Sequence, residues 1–132
     1  MIRKTILCID DEPIILESLR EQLEKYFGDD YLYEIAESAE EALEIIDDLE
    51  DDGVDIAIVV CDWLMPGMKG DKFLLHIDLK YPRVVKILLT GQADQNSVNT
   101  LKELADRFTL VPKPWNKEDL IQIIKTGLEE NE

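Results

Sequence analysis

A short apolar run in the middle of the chain, from Ile56 to Cys61, constrains the fold more than any other feature. Isoleucine and valine dominate it, which is typical of a strand that is buried on both faces in a parallel sheet. A single acid, Asp62, ends the run, and a turn rich in proline and glycine follows. Open α/β sheets bind ligands at the carboxyl ends of their strands. Asp62 therefore either belongs to a ligand site or simply caps a turn.

Four more apolar runs alternate with segments in which apolar residues recur at helical spacing. Together with the central run, they predict five strands over 5–9, 31–36, 55–61, 84–89 and 107–111. The segments between and after them predict helices over 13–27, 38 to about 53, 71–81, 94–105 and about 116–128. This alternation predicts an α/β fold with a doubly wound parallel sheet of five strands and five helices on its two faces. Glu34 indicates that the second strand is an edge strand or half-exposed, and Pro112 fits an edge position for the fifth.

The length of 132 residues suits one core, so we expect a single domain over 1–132. No apolar stretch approaches the roughly 18 residues that cross a bilayer, and the start lacks the pattern of a signal peptide. We therefore expect a cytoplasmic protein with no membrane partner. Thirty acids against fourteen bases give a net charge of −16, which repels DNA and RNA, so we expect no direct contact with nucleic acid.

The two cysteines, Cys8 and Cys61, each lie inside a predicted buried strand. We interpret them as small core residues, since a cytoplasmic disulfide is rare and no Cys/His cluster suggests a metal pair. The single histidine, His76, lies in a helical pattern without a partner motif and is interpreted as a surface or boundary residue.

Four of the five predicted strands end in a polar residue of possible chemical use. Asp10 and Asp11 follow the first strand, Asp62 the third, Thr90 the fourth and Lys113 the fifth. In a parallel sheet these ends lie along one edge, so the five side chains should converge on one crevice. Taken singly, the acids could cap a helix, Thr90 could cap a turn and Lys113 could be a solvated surface lysine. These separate explanations are much less convincing when all of them must apply at once.

The chemistry of this set points to one task. Three carboxylates in close proximity need a cation, and an all-oxygen site suits Mg²⁺. A carboxylate is also a competent nucleophile toward phosphorus. The Lys113 ammonium and the Thr90 hydroxyl could then stabilise the charge on the phosphoryl oxygens. The residue types therefore suit the acceptance of a phosphoryl group on an aspartate.

The chain resembles the receiver domain of the response regulators of two-component systems, a family with a flavodoxin-like fold. The matching stretches cover nearly the whole chain in the right order: ILCIDDEP at 6–13, DWLMPGMKG at 62–70, LTG at 89–91 and KPW at 113–115. The resemblance implies that a sensor histidine kinase or a histidine phosphotransfer protein phosphorylates Asp62. It also implies that Asp11, Asp62 and the backbone carbonyl of Leu64 bind Mg²⁺, with Mn²⁺ as an alternative, and that Asp10 acts mainly through metal-bound water.

Further implications of the resemblance concern the switch. Thr90 and Lys113 would bind the phosphoryl oxygens, the Lys113–Pro114 bond would be cis, and the strand order would be 2-1-3-4-5. The protein would be a switch that assists its own phosphorylation and dephosphorylation rather than an enzyme with turnover. Output would pass through the face of the fourth helix, the fifth strand and the fifth helix to an effector protein or an output domain outside this chain. A homodimer through the fourth and fifth helices is left open.

The chain departs from the family pattern on the fifth strand. The aromatic residue that often lies three residues before the lysine is replaced by Leu110. Phe108 lies two residues earlier, on the same side of a strand, and Trp115 lies just beyond the lysine motif. We hypothesise a weakened or altered aromatic relay between Thr90 and the output face.

Two positions of the family pattern bear on the lifetime of the phosphoryl group. Leu64 and Gln92 each lie two residues past a site residue. Since an apolar Leu64 cannot orient a water molecule and Gln92 is uncharged, we predict slow self-dephosphorylation. Gly91 should leave the phosphoryl site open.

Three other interpretations compete with the switch. A flavodoxin-like nucleotide binder needs a phosphate loop rich in glycine, serine or threonine after the first strand, where this chain has Asp10, Asp11 and Glu12. A phosphatase of the haloacid dehalogenase type needs an aspartate at position 12 and a cap domain. A degenerate receiver would serve only as a binding scaffold, which the intact set of residues disfavours.

Overall fold

The computed structural model of the chain describes residues 3–91 and 98–130. Strands and helices alternate through these residues, with one turn of 3₁₀-helix at Gly28–Asp30. In chain order the elements are β1 (Lys4–Ile9), α1 (Pro13–Phe27), β2 (Tyr31–Ala36), α2 (Ala39–Asp51), β3 (Ile56–Asp62), α3 (Gly70–Lys80), β4 (Val85–Thr90), α4 (Val98–Ala105), β5 (Thr109–Pro112) and α5 (Lys117–Glu130).

The five strands form one parallel sheet in the order β2-β1-β3-β4-β5. This confirms the predicted doubly wound α/β fold and the strand order that the resemblance implied. β2 is an edge strand, and Glu34 within it is half-exposed. β5 forms the other edge and ends at Pro112, which has no N–H to donate to a further strand.

Alternate residues of each strand pack on opposite faces of the sheet, as the pleat requires. One face packs against apolar residues of α1 and α5, and the other packs against apolar residues of α2, α3 and α4. Cys8 lies in the first of these cores and Cys61 in the second, and both are buried free thiols. Their interpretation as core residues is confirmed, and His76 lies exposed on α3.

Side chains fix the starts of two helices where the sequence indicated. Ser38 Oγ accepts a hydrogen bond from the N–H of Glu41 at 3.1 Å, and Asn116 Oδ1 accepts one from the N–H of Asp119 at 3.0 Å. These bonds satisfy N–H groups that the first turn of a helix leaves without a partner. Pro13 begins α1, where its missing N–H costs nothing.

The fifth strand begins two residues later than predicted. The N–H groups of Arg107 and Phe108 both donate to the carbonyl of Leu104, at 3.0 and 2.8 Å, and so complete the last turn of α4. These residues therefore cannot begin a ladder, and the strand starts at Thr109. Phe108 lies just before the strand, not within it. Residues 94–97 of the predicted fourth helix lie outside the described residues.

No helix within the described part of the chain combines the length and the apolar character that crossing a bilayer demands.

Candidate functional site

All five predicted site residues lie at the carboxyl ends of β1, β3, β4 and β5. Asp62 is the last residue of β3 and is 6% exposed, and Asp10 follows β1 and is fully buried. Thr90 ends β4 and is also buried, while Lys113 follows β5 and is half-buried. Parallel pairing in this order aligns the strand ends, which is why residues far apart in sequence meet here.

Lys113 joins two of the carboxylates. Its Nζ lies 2.6 Å from Asp10 Oδ2 and 3.1 Å from Asp62 Oδ1. The other oxygen of Asp10, Oδ1, accepts a hydrogen bond from the N–H of Glu12 at 2.9 Å. The buried carboxylate of Asp10 is thus paired on both oxygens, whereas Asp62 shares a cation with it.

The electrostatics of the site raise the pKa of Asp62 above its ordinary value of 3.8. Burial and the nearby charges of Asp10 and Asp11 raise its pKa, Lys113 lowers it, and the net result is a pKa of about 6. Burial disfavours the ammonium of Lys113, but its bonds to Asp10 and Asp62 outweigh this and raise its pKa. At neutral pH the site therefore holds a reactive carboxylate beside a fixed positive charge.

The three carboxylates could hold a metal ion. One oxygen from each of Asp10, Asp11 and Asp62 lies within 4.8 Å of the others, and Asp11 is exposed at the mouth of the site. Carboxylate oxygens are the donors that Mg²⁺ prefers, and a divalent cation would relieve the repulsion that raises the pKa of Asp62. The donor set therefore fits the cation that the sequence predicted.

The chain that follows Lys113 is tied to two other elements. The N–H of Lys113 donates to the carbonyl of Thr90 at 2.7 Å, and the Lys113–Pro114 bond is cis, as the resemblance implied. Trp115 Nε1 donates to Gln22 Oε1 on α1 at 2.9 Å. The role of Gln22 could not be predicted from the sequence, because a contact between residues so far apart leaves no periodic signal.

The loop after Asp62 is closed by a glycine. The N–H of Gly70 donates to the carbonyl of Trp63 at 2.7 Å, and a Cβ at Gly70 would stand 2.0 Å from the carbonyl oxygen of Asp62. No side chain fits at this distance, so the loop requires glycine there. Gly70 belongs to the matching stretch at 62–70, but its close approach to Asp62 could not be predicted from the sequence. Leu64 on the same loop is 57% exposed.

The residues of the hypothesised relay lie in one core. Phe108 is buried in the core beside α2, α3 and α4, and half-buried Leu110 packs against the same core. They share a side as predicted, although only Leu110 belongs to the strand, where it is aligned with Leu88. No atom of the described residues lies within 4 Å of a Cβ placed at Gly91. Gln92 lies outside the described residues.

The sequence matches the family model of the response regulator receiver domain over residues 6–125. It is 27% identical to the hydrogenase transcriptional regulatory protein HoxA of Cupriavidus necator over 95% of this chain and 24% of that protein. It is 30% identical to the sensor kinase CckA of Brucella abortus over 97% of this chain and 13% of that protein. This chain thus spans a quarter or less of the length of these relatives.

A solved structure gives the same picture. The CheY-like response regulator receiver domain protein of Methanospirillum hungatei matches with a TM-score of 0.76 and 34% identity, over 98% of this chain and 96% of that one. The family model covers most of the chain, and the sheet order is the one that the resemblance implied. The chain therefore belongs to the response regulator receiver domain family of two-component signalling.

Proposed function

We propose that this chain is a phosphoryl-accepting switch in which Asp62 receives a phosphoryl group from a phosphohistidine of a sensor kinase or phosphotransfer protein. The observation that carries the proposal is the Lys113 ammonium placed between Asp10 and Asp62, with Asp11 completing a carboxylate cluster. A structural ion pair would need one acid, whereas this cation faces two acids beside a third.

In the proposed reaction, an oxygen of Asp62 attacks phosphorus and forms an O–P bond. The P–N bond to the donor histidine breaks, and its imidazole leaves with the bonding electrons. Because the pKa of Asp62 is about 6, most of its carboxyl groups are ionised at pH 7 and can attack. The Lys113 ammonium stabilises the charge on the phosphoryl oxygens, and the Thr90 hydroxyl donates a hydrogen bond to one of them.

The carboxylates of Asp10, Asp11 and Asp62 and the backbone carbonyl of Leu64 are the groups that would hold Mg²⁺ or Mn²⁺, with Asp10 acting mainly through water. When bound, the cation supplies charge neutralisation at the phosphoryl oxygens. The protein's own part is to hold these donors on rigid strand ends and to keep the nucleophile buried beside Lys113.

The signal would leave through the face formed by α4, β5 and α5. We propose that Thr90 and Lys113 couple the phosphoryl group to this face, since their backbones are hydrogen-bonded to each other. Phe108 and Leu110 would carry an altered relay, because the strand offers a leucine where an aromatic ring would move. The effector protein or output domain would lie outside this chain, and homodimerisation through α4 and α5 remains a prediction.

The test is the intact mass of the protein after incubation with Mg²⁺ and acetyl phosphate. We expect a single phosphoryl adduct on the wild type, and none on Asp62→Asn or on a sample freed of metal with a chelator. No adduct on well-folded wild type with two different small phosphodonors would overturn the proposal in favour of a binding scaffold.

A further inference from the structure

A side chain of α2 reaches the loop that follows Asp62. Glu40 Oε1 accepts a hydrogen bond from the backbone N–H of Met68 at 3.1 Å, across 28 positions of sequence. Gly67 lies against the same carboxylate, because a Cβ there would stand 2.9 Å from Glu40 Oε1. Gly67 also has a φ of +79°, a conformation that glycine adopts without strain. The loop is therefore shaped to receive this carboxylate.

The contact is a charge-assisted one. Hydrogen bonds from its own backbone N–H and from the N–H of Met68 lower the pKa of the Glu40 carboxyl. Glu40 lies in the first turn of α2, where an acid is also favoured by the helix dipole. The side chain is exposed, so packing does not hold it in place. Its position is set by the hydrogen bonds themselves.

Core packing of Trp63, Met65 and Met68 holds this loop, and two backbone hydrogen bonds attach its part beyond Leu64, of which Glu40 accepts the second. The first is at its base, where Gly70 donates to Trp63 and lies directly against the carbonyl of Asp62. The second is at Met68, whose partner belongs to a different helix. Leu64 lies on the same loop between Asp62 and these attachments, and it is exposed rather than held by the core.

We propose that Glu40 is a positioning residue of the phosphoryl site, which fixes the loop that carries the Leu64 carbonyl and thereby sets the affinity of the site for divalent cations. This inference rests on the proposed function. Groups that orient the ligands of a metal commonly affect its affinity strongly, because a loosely held donor must be ordered when the ion binds. Glu40 would act in this way through the backbone, without touching the ion.

The experiment compares Glu40→Ala with Glu41→Ala. Glu41 lies next to Glu40 in the same turn, and its side chain makes no hydrogen bond or ion pair with the described residues. Both variants remove one negative charge from the same end of α2, so they alter the long-range field at the site to a similar degree. Mn²⁺ is the probe, and the free ion is counted by electron paramagnetic resonance.

We expect Glu40→Ala to weaken Mn²⁺ binding roughly tenfold, and Glu41→Ala to stay within about twofold of the wild type. Glu40→Gln keeps an oxygen acceptor and should lie between them. In the metal-free protein, the amide of Met68 should exchange with solvent faster in Glu40→Ala than in Glu41→Ala. Thermal unfolding of both variants shows whether the fold is retained.

The outcomes separate the two levels of inference. Equal Mn²⁺ affinities in the two alanine variants, with a wild type that binds Mn²⁺ and accepts phosphoryl, would overturn the role of Glu40 alone. Unchanged exchange at Met68 would likewise overturn it, since the hydrogen bond would then be unimportant for the loop. A wild type that neither binds Mn²⁺ nor accepts phosphoryl would overturn the proposed function, and the role of Glu40 with it.

Discussion

The ammonium of Lys113 lies 3.1 Å from Oδ1 of Asp62, and this pair combines the cation and the carboxylate that a phosphoryl acceptor needs. The same ammonium lies 2.6 Å from Asp10, so one lysine offsets part of the repulsion between two buried acids. Substitutions of Lys113, of Asp62 and of the residues around them can therefore test the proposed site.

Replacing Lys113 with methionine should slow phosphorylation by acetyl phosphate by about 100-fold, because the variant loses a fixed charge at the phosphoryl oxygens. The pKa of Asp62 should rise further, since Lys113 is the group that lowers it. Mass spectrometry over time gives the rate, and NMR of the carboxyl carbon gives the pKa. Lys125→Met, on the exposed surface of α5, is the control and should change neither quantity.

Asp62→Asn should stabilise the metal-free protein at pH 7.5 by on the order of 2 kcal/mol. The folded-state pKa of Asp62 is about 6, above its ordinary value of 3.8, so the folded protein binds a proton more tightly than the unfolded chain. The stabilisation that comes from this tighter proton binding is fully present below about pH 4 and is lost as the pH rises through about 6. Urea denaturation at several pH values should show the advantage of the variant shrinking from pH 7.5 to pH 4. Asp47→Asn makes the same substitution on the exposed surface of α2 and serves as the control.

Leu64→Asn should shorten the lifetime of the phosphoryl group several-fold. The wild-type side chain is apolar and 57% exposed beside the site, so it cannot orient a water molecule for attack, whereas an amide can. Loss of the adduct mass after removal of the phosphodonor measures the lifetime. Leu79→Asn makes the same change on exposed α3 and should leave the lifetime unaltered. A Leu64→Asn protein that dephosphorylates no faster than the wild type would contradict the predicted slow self-dephosphorylation.

Gly70→Ala should destabilise the fold by at least about 2 kcal/mol, since its Cβ would stand 2.0 Å from the carbonyl oxygen of Asp62 and the backbone would have to move. Gly91→Ala should cost far less, because no atom of the described residues lies within 4 Å of its added Cβ. Both glycines flank the same site, so urea denaturation of the two variants isolates the effect of the close approach. Equal losses would show that the loop can adjust around a Cβ.

The hydrogen bond from Trp115 to Gln22 should contribute about 1 kcal/mol to the free energy of unfolding. A double-mutant cycle of Trp115→Phe and Gln22→Leu measures this coupling in urea. The paired variants should lose less than the sum of the single ones. Strict additivity would mean that the bond does not hold the segment after Lys113 against α1.

Much of this molecule could be predicted from local pattern. Apolar runs located every strand, and Ser38 and Asn116 marked the starts of two helices. The convergence of Asp10, Asp62 and Lys113 followed from parallel strands sharing one edge. Periodicity and strand ends suffice for these features because each depends on residues that are close in sequence or on the sheet as a whole.

The start of β5 and the polar contacts around the site could not be predicted in this way. Arg107 and Phe108 belong to a run that predicted a strand, yet their N–H groups donate to the carbonyl of Leu104 in α4 and not to the sheet. Nothing in a linear pattern reveals that competition. The bond of Glu40 to Met68 and that of Gln22 to Trp115 join exposed or half-exposed polar groups of distant elements. Such contacts depend on how helices sit on the sheet.

The separation of Cys8 and Cys61 onto opposite faces of the sheet has a consequence for oxidation chemistry. Burial raises the pKa of the Cys8 thiol to about 12 and that of Cys61 well above its usual range, so neither forms the reactive thiolate at neutral pH. Their strands, β1 and β3, are neighbours, but the two side chains lie on opposite sides of the sheet backbone. The folded protein therefore shields both sulfurs from peroxide and alkylating reagents, and modification at either one marks molecules whose core has opened.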